Sequence, residues 1–286
     1  MTILLTGATG QVGGAALRAL ADLPVRALVR DPATPPGGGV DVVAGSFDDG
    51  ASLRAALDGV SVLFLTGRDN PAQVEQHLRV LDVAREVGVR HVVKLSAIGA
   101  RADSPVALMR WHHAIEAALR GSGFAWTFLR PHLYLQNLLR FAGDVAGRGR
   151  LAAPMGDRRY PLVDTRDVGA AVAAVLRDPH AHIGRVYGLT GPSAVSYAEV
   201  AAHLARLVGR PVEYEALAPD VFRAGLVDAG VPAWRADDLA AISSAYEDEA
   251  VADDLPALLG RSATSLEAFL DDHRELYLVG ASRSHL

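Results

Sequence analysis

The sequence predicts an α/β fold, in which a doubly wound parallel sheet is followed by a smaller, mainly helical C-terminal lobe. Short apolar or β-branched runs alternate with helix-length segments through the first half of the chain. A glycine-rich turn separates the first run from the first helical segment, and helical patterns dominate after about residue 129. Near-continuous apolar strands separated by helices are typical of a parallel sheet that is covered on both faces.

The elements of the first half follow one another closely. The predicted strands span residues 2–6, 25–29, 40–43, 60–65, 91–95 and 124–129. The predicted helices span residues 11–23, 49–57, 71–87 and 105–120. The third of these helices begins at a proline and ends before Gly88, and both residues are signals of helix boundaries. The Pro-Pro-Gly-Gly-Gly sequence at 35–39 predicts a surface loop.

In the second half of the chain, the regular alternation of predicted strands and helices is lost. Asp164 is expected to cap a helix over 165–176, and a strand is predicted over 185–189. Ser196 and Glu199 form a capping-box pattern at the start of a helix that ends at residue 208. Residues 211–269 are predicted to be mainly helical. We therefore divide the chain into a sheet domain at 1–150 and a second part at 151–286, where the last sheet elements interleave with the smaller lobe.

The composition excludes several classes of site and partner. The 286 residues include no cysteine, which excludes disulfides, thiolate metal sites and cysteine nucleophiles. The net charge of -5 provides no broad basic surface for nucleic acid, and the acidic run at 247–249 is interpreted as a solvated face. We expect no signal peptide and no membrane helix, which needs roughly 18 apolar residues. With abundant Ala, Arg, Gly and Val, these features predict a bacterial, cytoplasmic protein without a membrane or nucleic-acid partner.

The first turn carries a nucleotide-binding motif. Gly7, Gly10 and Gly13 form a G-x-x-G-x-x-G pattern after a predicted strand and at the start of a helix, the context that the motif requires. Gly7 permits the tight turn, Gly10 lets the backbone approach a pyrophosphate, and Gly13 allows close helix packing. Amides at the helix start then face the phosphates. The motif predicts a Rossmann-type dinucleotide-binding domain over 1–150; the alternative is a glycine-rich turn without a ligand.

Arg30 bears on which dinucleotide is bound. It is the first charged residue at the end of the second predicted strand. An acid near this position usually holds the ribose 2′-hydroxyl of NAD, whereas an arginine accommodates the 2′-phosphate of NADP. A guanidinium binds phosphate bidentately and stacks on adenine. Arg30 therefore favours NADP(H), although Asp31 follows it directly; the alternative is a solvated arginine.

Segments along nearly the whole chain resemble one family. They are residues 6–13, 28–32, 45–49, 65–67, 93–100, 112–116, 122–123, 129–131, 134–137, 163–168 and 259–261, with Phe269. In this order they resemble the NmrA-like group of atypical short-chain dehydrogenase/reductases, and within it the NADPH:quinone reductase branch. The group also includes triphenylmethane-type reductases and redox-sensing regulators. The resemblance is fairly specific for the group and does not identify a substrate.

The resemblance implies a cofactor site that extends beyond the glycine turn. Asp48 would meet the adenine and Phe47 would pack on its ring, while residues 65–67 would lie under the adenosine and pyrophosphate. Ser96 and Ala97 fall in the strand and loop beside the nicotinamide. The predicted cofactor-binding residues are Thr6, Gly7, Thr9, Gly10, Gln11, Val12, Gly13, Arg30, Phe47, Asp48, Leu65, Thr66, Gly67, Ser96 and Ala97.

The sequence departs from the wider superfamily at the catalytic pair. The usual Tyr-x-x-x-Lys pair is absent, since Tyr134 is the only tyrosine before Asn137 and Leu138 occupies the fourth position after it. Carbonyl reduction by a tyrosine proton donor is therefore not supported. The NmrA-like group often lacks this pair, and some members bind the cofactor without known turnover.

His112, Ser96 and Tyr134 are the candidate catalytic residues. Free histidine titrates near about 6.5 and suits proton donation. We favour His112 over His113, because His112 lies four residues before Glu116 and can hydrogen-bond with it. Ser96 falls at the position of the superfamily's active-site serine. The alternatives are a structural pair that braces the helix and a strand-end cap at Ser96.

Other residues near these candidates have interpretations of their own. Lys94 shares a strand face with Ser96 and is interpreted as structural, with Glu116 or Asp167 as its partner. An acceptor pocket that suits a flat, conjugated small molecule is expected at Tyr134, Leu135, Asn137 and the Trp111 region, with ordinary core packing as the alternative. No metal is predicted, because the sequence does not display the third ligand that a site at His112 would need.

Together these features predict an NADPH-dependent oxidoreductase that transfers hydride to a small conjugated acceptor such as a quinone, with specialised metabolism as one setting. The cofactor supplies the hydride. The alternatives are a non-enzymatic NADP(H) sensor and a non-redox isomerase, dehydratase or cyclase, since a fold does not fix the chemistry. A homodimer is left open.

Overall fold

A computed structural model describes residues 1–33, 35–36, 40–246 and 250–279. The predicted loop at 35–39 lies largely outside the described residues, and the acidic run at 247–249 lies wholly outside them. The described strands are, in chain order, β1 (Ile3–Leu5), β2 (Val25–Val29), β3 (Asp41–Ala44), β4 (Val62–Leu65), β5 (His91–Leu95), β6 (Ala125–Pro131), β7 (Arg150–Ala153), β8 (Arg159–Tyr160), β9 (Arg185–Leu189), β10 (Val195–Ser196) and β11 (Glu213–Ala216).

The described helices alternate with the strands in the first half and dominate the second. They are α1 (Gln11–Ala19), α2 (Gly50–Leu57), α3 (Gln73–Glu86), α4 (Ala107–Arg120), α5 (Ala142–Arg148), α6 (Thr165–Arg177), α7 (Tyr197–Val208), α8 (Pro219–Asp228), α9 (Ala233–Ala241), α10 (Asp254–Leu259), α11 (Leu266–Asp272) and α12 (Arg274–Val279). Short 3-10 helices span Leu135–Phe141, Pro179–His182 and Ile242–Ala245.

Seven strands form one parallel sheet in the order β3-β2-β1-β4-β5-β6-β9. Every residue of β4 and β5 is buried, which accounts for their near-continuous apolar sequences. The strand order reverses between β1 and β4, and open α/β sheets bind ligands at the carboxyl ends of the strands beside such a reversal. The predicted doubly wound parallel sheet is confirmed.

Helices cover both faces of the sheet. Ile3 and Leu5 pack with α1 and α6 on one face, whereas Leu4 packs with α2, α3 and α4 on the other, as the alternation of side chains along a strand requires. Helices α1 and α6 approach closely because Gly169 has no side chain: a Cβ atom there would lie 2.4 Å from the Cβ of Ala15.

A third apolar cluster forms the core of the C-terminal lobe. It joins α5, α7, α11 and α12 to the 3-10 helix Leu135–Phe141, around Leu138, Tyr197 and Phe269. Two small sheets, β7 with β11 and β8 with β10, border this lobe. Strand β11 corrects the helical prediction for this part of 211–269. Its mostly exposed residues carry no apolar period, and its partner β7 lies about sixty residues earlier in the chain.

Local caps were predicted well, whereas some helix ends were not. The capping box of Ser196 with Glu199 and the cap at Asp164 are both confirmed. Helix α1 ends at Ala19 rather than at residue 23, since residue 23 precedes a proline and is disfavoured in a helix. Helix α4 begins two residues later than predicted, because the Asp238 carboxylate in α9 accepts hydrogen bonds from the first two backbone amides of the helix, at 2.7 and 3.0 Å.

Candidate functional site

A cleft of about 1180 Å³ runs along the carboxyl ends of the central strands and is bordered by the C-terminal lobe. Most of the predicted site residues line it, although they come from seven separate parts of the chain. They are Gly7, Thr9, Gly10, Gln11, Val12, Gly13, Arg30, Phe47, Asp48, Thr66, Gly67, Ser96, Ala97, His112 and Tyr134.

Thr6 and Leu65 lie behind the cleft wall rather than in it, which corrects their predicted place. The Thr6 hydroxyl lies 2.6 Å from the carbonyl oxygen of Thr66 and accepts a 2.8 Å hydrogen bond from the Thr66 amide. It therefore ties the end of β1 to the end of β4. Leu65 is fully buried in the core beneath the cleft, since both faces of β4 are covered.

The glycine turn has a shape that other residues would disrupt. Gly7 has a φ of +63°, in the left-handed region that favours glycine. A Cβ atom at Gly13 would lie 2.2 Å from the carbonyl oxygen of Gly7, so that only glycine lets α1 approach the turn this closely. Gly10 precedes α1 and provides no side-chain cap for the helix amides. The cradle and the amide-rich helix start therefore fit a pyrophosphate.

The outer end of the cleft is lined by the Phe47 ring and by the exposed Arg30. The Phe47 ring packs edge-on against His77, with ring centroids 5.5 Å apart. Gly67 covers the same histidine, and a Cβ atom there would lie 2.8 Å from His77 Nε2. Arg30 is exposed at this end, directly after β2. The Asp48 carboxylate accepts hydrogen bonds from Gln76 at 3.0 and 3.2 Å.

Ser96 lies at the centre of the cleft and is anchored to a buried carboxylate. Its hydroxyl donates a 2.6 Å hydrogen bond to Glu116, which is fully buried. Arg130 donates two hydrogen bonds to Glu116, at 2.8 and 2.5 Å, and Arg120 donates one at 3.0 Å. Burial alone would raise the pKa of Glu116, but the hydrogen bonds from Arg130 and Ser96 and the arginine charges lower it. The Ser96 proton therefore points away from the cleft, and its oxygen is left to accept a hydrogen bond.

His112 pairs with Lys94 and not with Glu116, which corrects two predicted contacts. Lys94 Nζ lies 3.3 Å from His112 Nδ1 and also donates to the carbonyl oxygen of Leu95. The Glu116 carboxylate is occupied by its arginines and Ser96, so no bond to His112 forms. Asp167, the other expected partner of Lys94, instead accepts a 2.6 Å bond from Arg261.

In the Lys94–His112 pair, the lysine is the residue whose pKa lies near neutrality. Burial lowers the pKa of Lys94 to about 7, against the opposing effect of Glu116 and Asp69. Burial, and then the nearby Lys94, hold the pKa of His112 well below its ordinary value. His112 is therefore neutral at physiological pH. Both residues line the cleft, whereas His113 does not.

The inner end of the cleft is an aromatic pocket. Tyr134 and Asn137 line it as expected, and enclosure by the protein raises the pKa of the Tyr134 hydroxyl above its ordinary value. Leu135 is instead fully buried in the core. Trp111 lies behind the wall and packs on Trp234 of α9, which lines the pocket in its place. The other aromatic lining residues are Phe141, Tyr197, Phe222 and Tyr246.

Sequence reasoning missed most of the residues that the C-terminal lobe contributes. Trp234 and Arg235 belong to α9, and Tyr246 stacks on His132 with ring centroids 4.1 Å apart. None of them lies in a local motif, and they reach the cleft only through long-range packing. Gln73 at the start of α3 was also missed; it is buried and lines the cleft.

The described part of the chain shows neither a membrane-spanning helix nor a metal-ligand cluster. None of the helices in that part is long and apolar enough to cross a membrane. The same residues contain no group of three or more His, Asp or Glu side chains placed to hold a metal ion. The cytoplasmic location and the homodimer stay predictions.

The architecture is that of a Rossmann-type dinucleotide-binding protein with a smaller C-terminal lobe. Its seven-stranded parallel sheet, glycine-rich first turn and cleft over the strand ends define this class. The model of the NmrA-like family matches residues 1–275, and the chain belongs to this family.

Several proteins that are similar to this chain are named as reductases. The chain is 36% identical over 279 residues to an NAD(P)H azoreductase of Xenophilus azovorans, with 95% of this chain and 97% of that protein covered. It is 41% identical over 229 residues to the (4-alkanoyl-5-oxo-2,5-dihydrofuran-3-yl)methyl phosphate reductase of Streptomyces griseus, covering 79% and 80%. The structure of an NADPH-dependent quinone oxidoreductase from Escherichia coli, in complex with NADPH, superposes with a TM-score of 0.85 at 30% identity, covering 95% and 99%.

Proposed function

We propose that this protein is an NADPH-dependent reductase of a small conjugated acceptor such as a quinone. The observation that carries the proposal is one continuous cleft with the glycine turn at one end, an aromatic pocket at the other, and Ser96 with the Lys94–His112 pair between them. The acceptors in the names of the similar reductases, an azo compound, an oxo-dihydrofuran and a quinone, are all conjugated. An aromatic wall suits such flat molecules.

The cofactor is NADP(H), and each part of it has a matching element in the cleft. The glycine turn and the first amides of α1 would hold the pyrophosphate. Arg30 would bind the 2′-phosphate, and Phe47 with Gly67 would support the adenosine. When bound, the cofactor supplies the hydride.

The residues at the centre of the cleft orient the reactants and deliver a proton. The Ser96 hydroxyl donates its hydrogen bond to Glu116, so its oxygen would be available to accept a hydrogen bond from an amide group of a bound molecule. A quinone that gains a hydride carries a negative charge on one oxygen, and one proton completes the hydroquinone. Lys94 has a pKa of about 7 and lies beside His112, so we assign the proton to this pair. Tyr134 keeps its proton because its pKa is raised, and we assign it to the pocket wall.

The test is a purified protein assayed for NADPH oxidation with a panel of quinones, azo compounds and enones. We expect NADPH to be consumed in step with acceptor reduction, and NADH to be used less well. A protein that binds NADPH tightly but consumes none with any acceptor would contradict the proposal and favour the redox-sensor alternative. An assay without acceptor is the matched control for direct oxidation by oxygen.

A further inference from the structure

Two arginines line the inner end of the cleft, away from Arg30 at the outer end. Arg140 comes from the 3-10 helix Leu135–Phe141, and Arg235 comes from α9. Both lie among the aromatic residues that form the acceptor pocket. Arg235 has an acidic partner, whereas Arg140 has none among the described residues.

Arg235 and the acidic groups of this end are already paired. Arg235 Nη1 lies 3.1 Å from the Asp69 carboxylate. Asp238 is the other acid near the pocket, and its carboxylate is occupied by the two amides that begin α4. No acidic lining residue of the inner end is therefore left to balance a further cation.

Arg140 lies in the same pocket without such a partner. Its Nε donates a 3.3 Å hydrogen bond to the carbonyl oxygen of Asn137. Among the described residues it forms no ion pair, and its two terminal nitrogens make no hydrogen bond. The surrounding protein, and more weakly the charge of Arg235, lower the pKa of Arg140, against the opposing effect of Tyr197. Its side chain is nonetheless accessible from the cleft.

Arg140 is exposed along the cleft and forms no ion pair with any described residue, so its charge is available to a ligand. Arg130, beneath the same cleft, differs because it has the buried Glu116 carboxylate as its partner. A ligand with a negative charge would give Arg140 the partner that Arg130 already has. The planar fork of a guanidinium matches two oxygens of a phosphate, sulfonate or carboxylate.

We propose that Arg140 binds an oxyanion carried by the acceptor, while the aromatic wall holds the conjugated part of the same molecule. The substrate class is thus a conjugated acceptor with a pendant phosphate, sulfonate or carboxylate. This inference rests on the proposed reductase function, which neutral acceptors test separately.

The experiment compares a neutral naphthoquinone with the same naphthoquinone bearing a sulfonate, using kcat/KM for each with saturating NADPH. We expect the wild-type protein to prefer the sulfonate. In Arg140→Ala, kcat/KM should fall about 10- to 100-fold for the sulfonate and less than about threefold for the neutral quinone, because hydrogen bonds to charged groups contribute about 1.5–3 kcal/mol. Arg140→Lys should retain part of the preference, since it keeps the charge without the fork.

The matched control is Arg90→Ala. Arg90 is exposed and directly precedes β5, at the amino ends of the strands and so away from the cleft. This variant should leave kcat/KM for both quinones unchanged. Equal losses for the two quinones in Arg140→Ala would overturn the inference. An unchanged dissociation constant for NADPH in Arg140→Ala is also expected, and a large rise would assign Arg140 to the cofactor and overturn it.

Binding measurements keep the inference testable if neither quinone is reduced. The protein loaded with NADP would then be titrated with the sulfonate, and Arg140→Ala should weaken this binding about tenfold or more. Equal dissociation constants would overturn the proposal. Titration with inorganic phosphate distinguishes a free anion from an oxyanion carried by the acceptor. If phosphate binds at Arg140 as tightly as the naphthoquinone sulfonate does, the site takes a free anion, and the proposal is overturned.

Discussion

The two ends of the cleft are built in different ways. The outer, cofactor end is formed by short segments that follow the carboxyl ends of neighbouring strands, and its shape follows from glycines and backbone amides. The inner, acceptor end is assembled from the strand β5, helix α4, a 3-10 helix and the C-terminal lobe. Its chemistry depends on buried charges such as Glu116 and Lys94, whose partners are distant in sequence.

This difference predicts different consequences of substitutions at the two ends. A backbone cradle holds any dinucleotide with the same pyrophosphate, and so it is tolerant of changes elsewhere. The acceptor end depends on side chains from several elements, each of which can change independently. We therefore expect substitutions at the acceptor end to affect stability and turnover, and substitutions at the cofactor end to affect NADPH affinity.

The largest expected effect is the loss of stability in Glu116→Gln. This substitution keeps the shape but removes the buried negative charge that balances Arg130 and Arg120. Breaking a buried ion pair costs about 3–5 kcal/mol, and we expect the lower end because both arginines are partly exposed to water. Denaturant unfolding measures the change in the free energy of unfolding.

The matched control is Glu86→Gln, which removes an exposed ion pair with Arg54. Exposed pairs contribute about 0–1 kcal/mol, so the control should be nearly as stable as the wild type. Similar small losses in both variants would show that the floor of the acceptor end does not depend on the Glu116 charge.

The next effect concerns proton delivery by Lys94. Lys94→Met keeps the length of the side chain and removes its charge, and we expect kcat to fall about 100-fold, within the range for general acid catalysis. The acid form of Lys94 exists below its pKa of about 7, so the wild-type kcat should decline as the pH rises above that value. This decline should be absent in the variant.

The pH profile separates a catalytic role from a structural one. A variant that is merely less well packed would lose activity at all pH values and keep the decline above pH 7. That result would assign the proton to another group or to water. Unchanged NADPH affinity in Lys94→Met is the internal control, since the lysine lies outside the predicted phosphate-binding turn.

A third prediction tests the cofactor end through Gly13→Ala. The new methyl group would lie 2.2 Å from the Gly7 carbonyl oxygen, and the turn or the helix must shift. Overpacking of this kind costs about 1–3 kcal/mol, which corresponds to roughly a 5- to 150-fold loss of NADPH affinity if the strain falls on the turn. Fluorescence titration measures it. Gly50→Ala at the start of α2, where a Cβ atom meets nothing within 4 Å, should bind NADPH normally.

The same contrast explains what the sequence could predict. The seven strands of the parallel sheet, the glycine turn and the Ser196 capping box follow from residues that are close in sequence, and all were predicted. The partner of Lys94 was not, because helical spacing shows which residues share a face but not which of them reaches a buried charge. Trp234 and Arg140 entered no motif, and only the packing of the C-terminal lobe brings them to the pocket.

The smallest expected effect concerns the choice between NADPH and NADH. Arg30 is exposed, so removing it in Arg30→Ala should leave the fold intact and weaken NADPH binding about tenfold, the lower part of the range for hydrogen bonds to charged groups. NADH lacks the 2′-phosphate and should lose less than about threefold.

Paired titrations with the two nucleotides measure this ratio, and Arg90→Ala, at the amino ends of the strands, is the control. A uniform loss for both nucleotides would mean that Arg30 supports the adenosine and does not read the 2′-phosphate. The cofactor end would then still bind a dinucleotide through its backbone but would need another residue for its preference. That outcome would sharpen the comparison, because specificity at both ends of the cleft would then depend on side chains from outside the glycine motif.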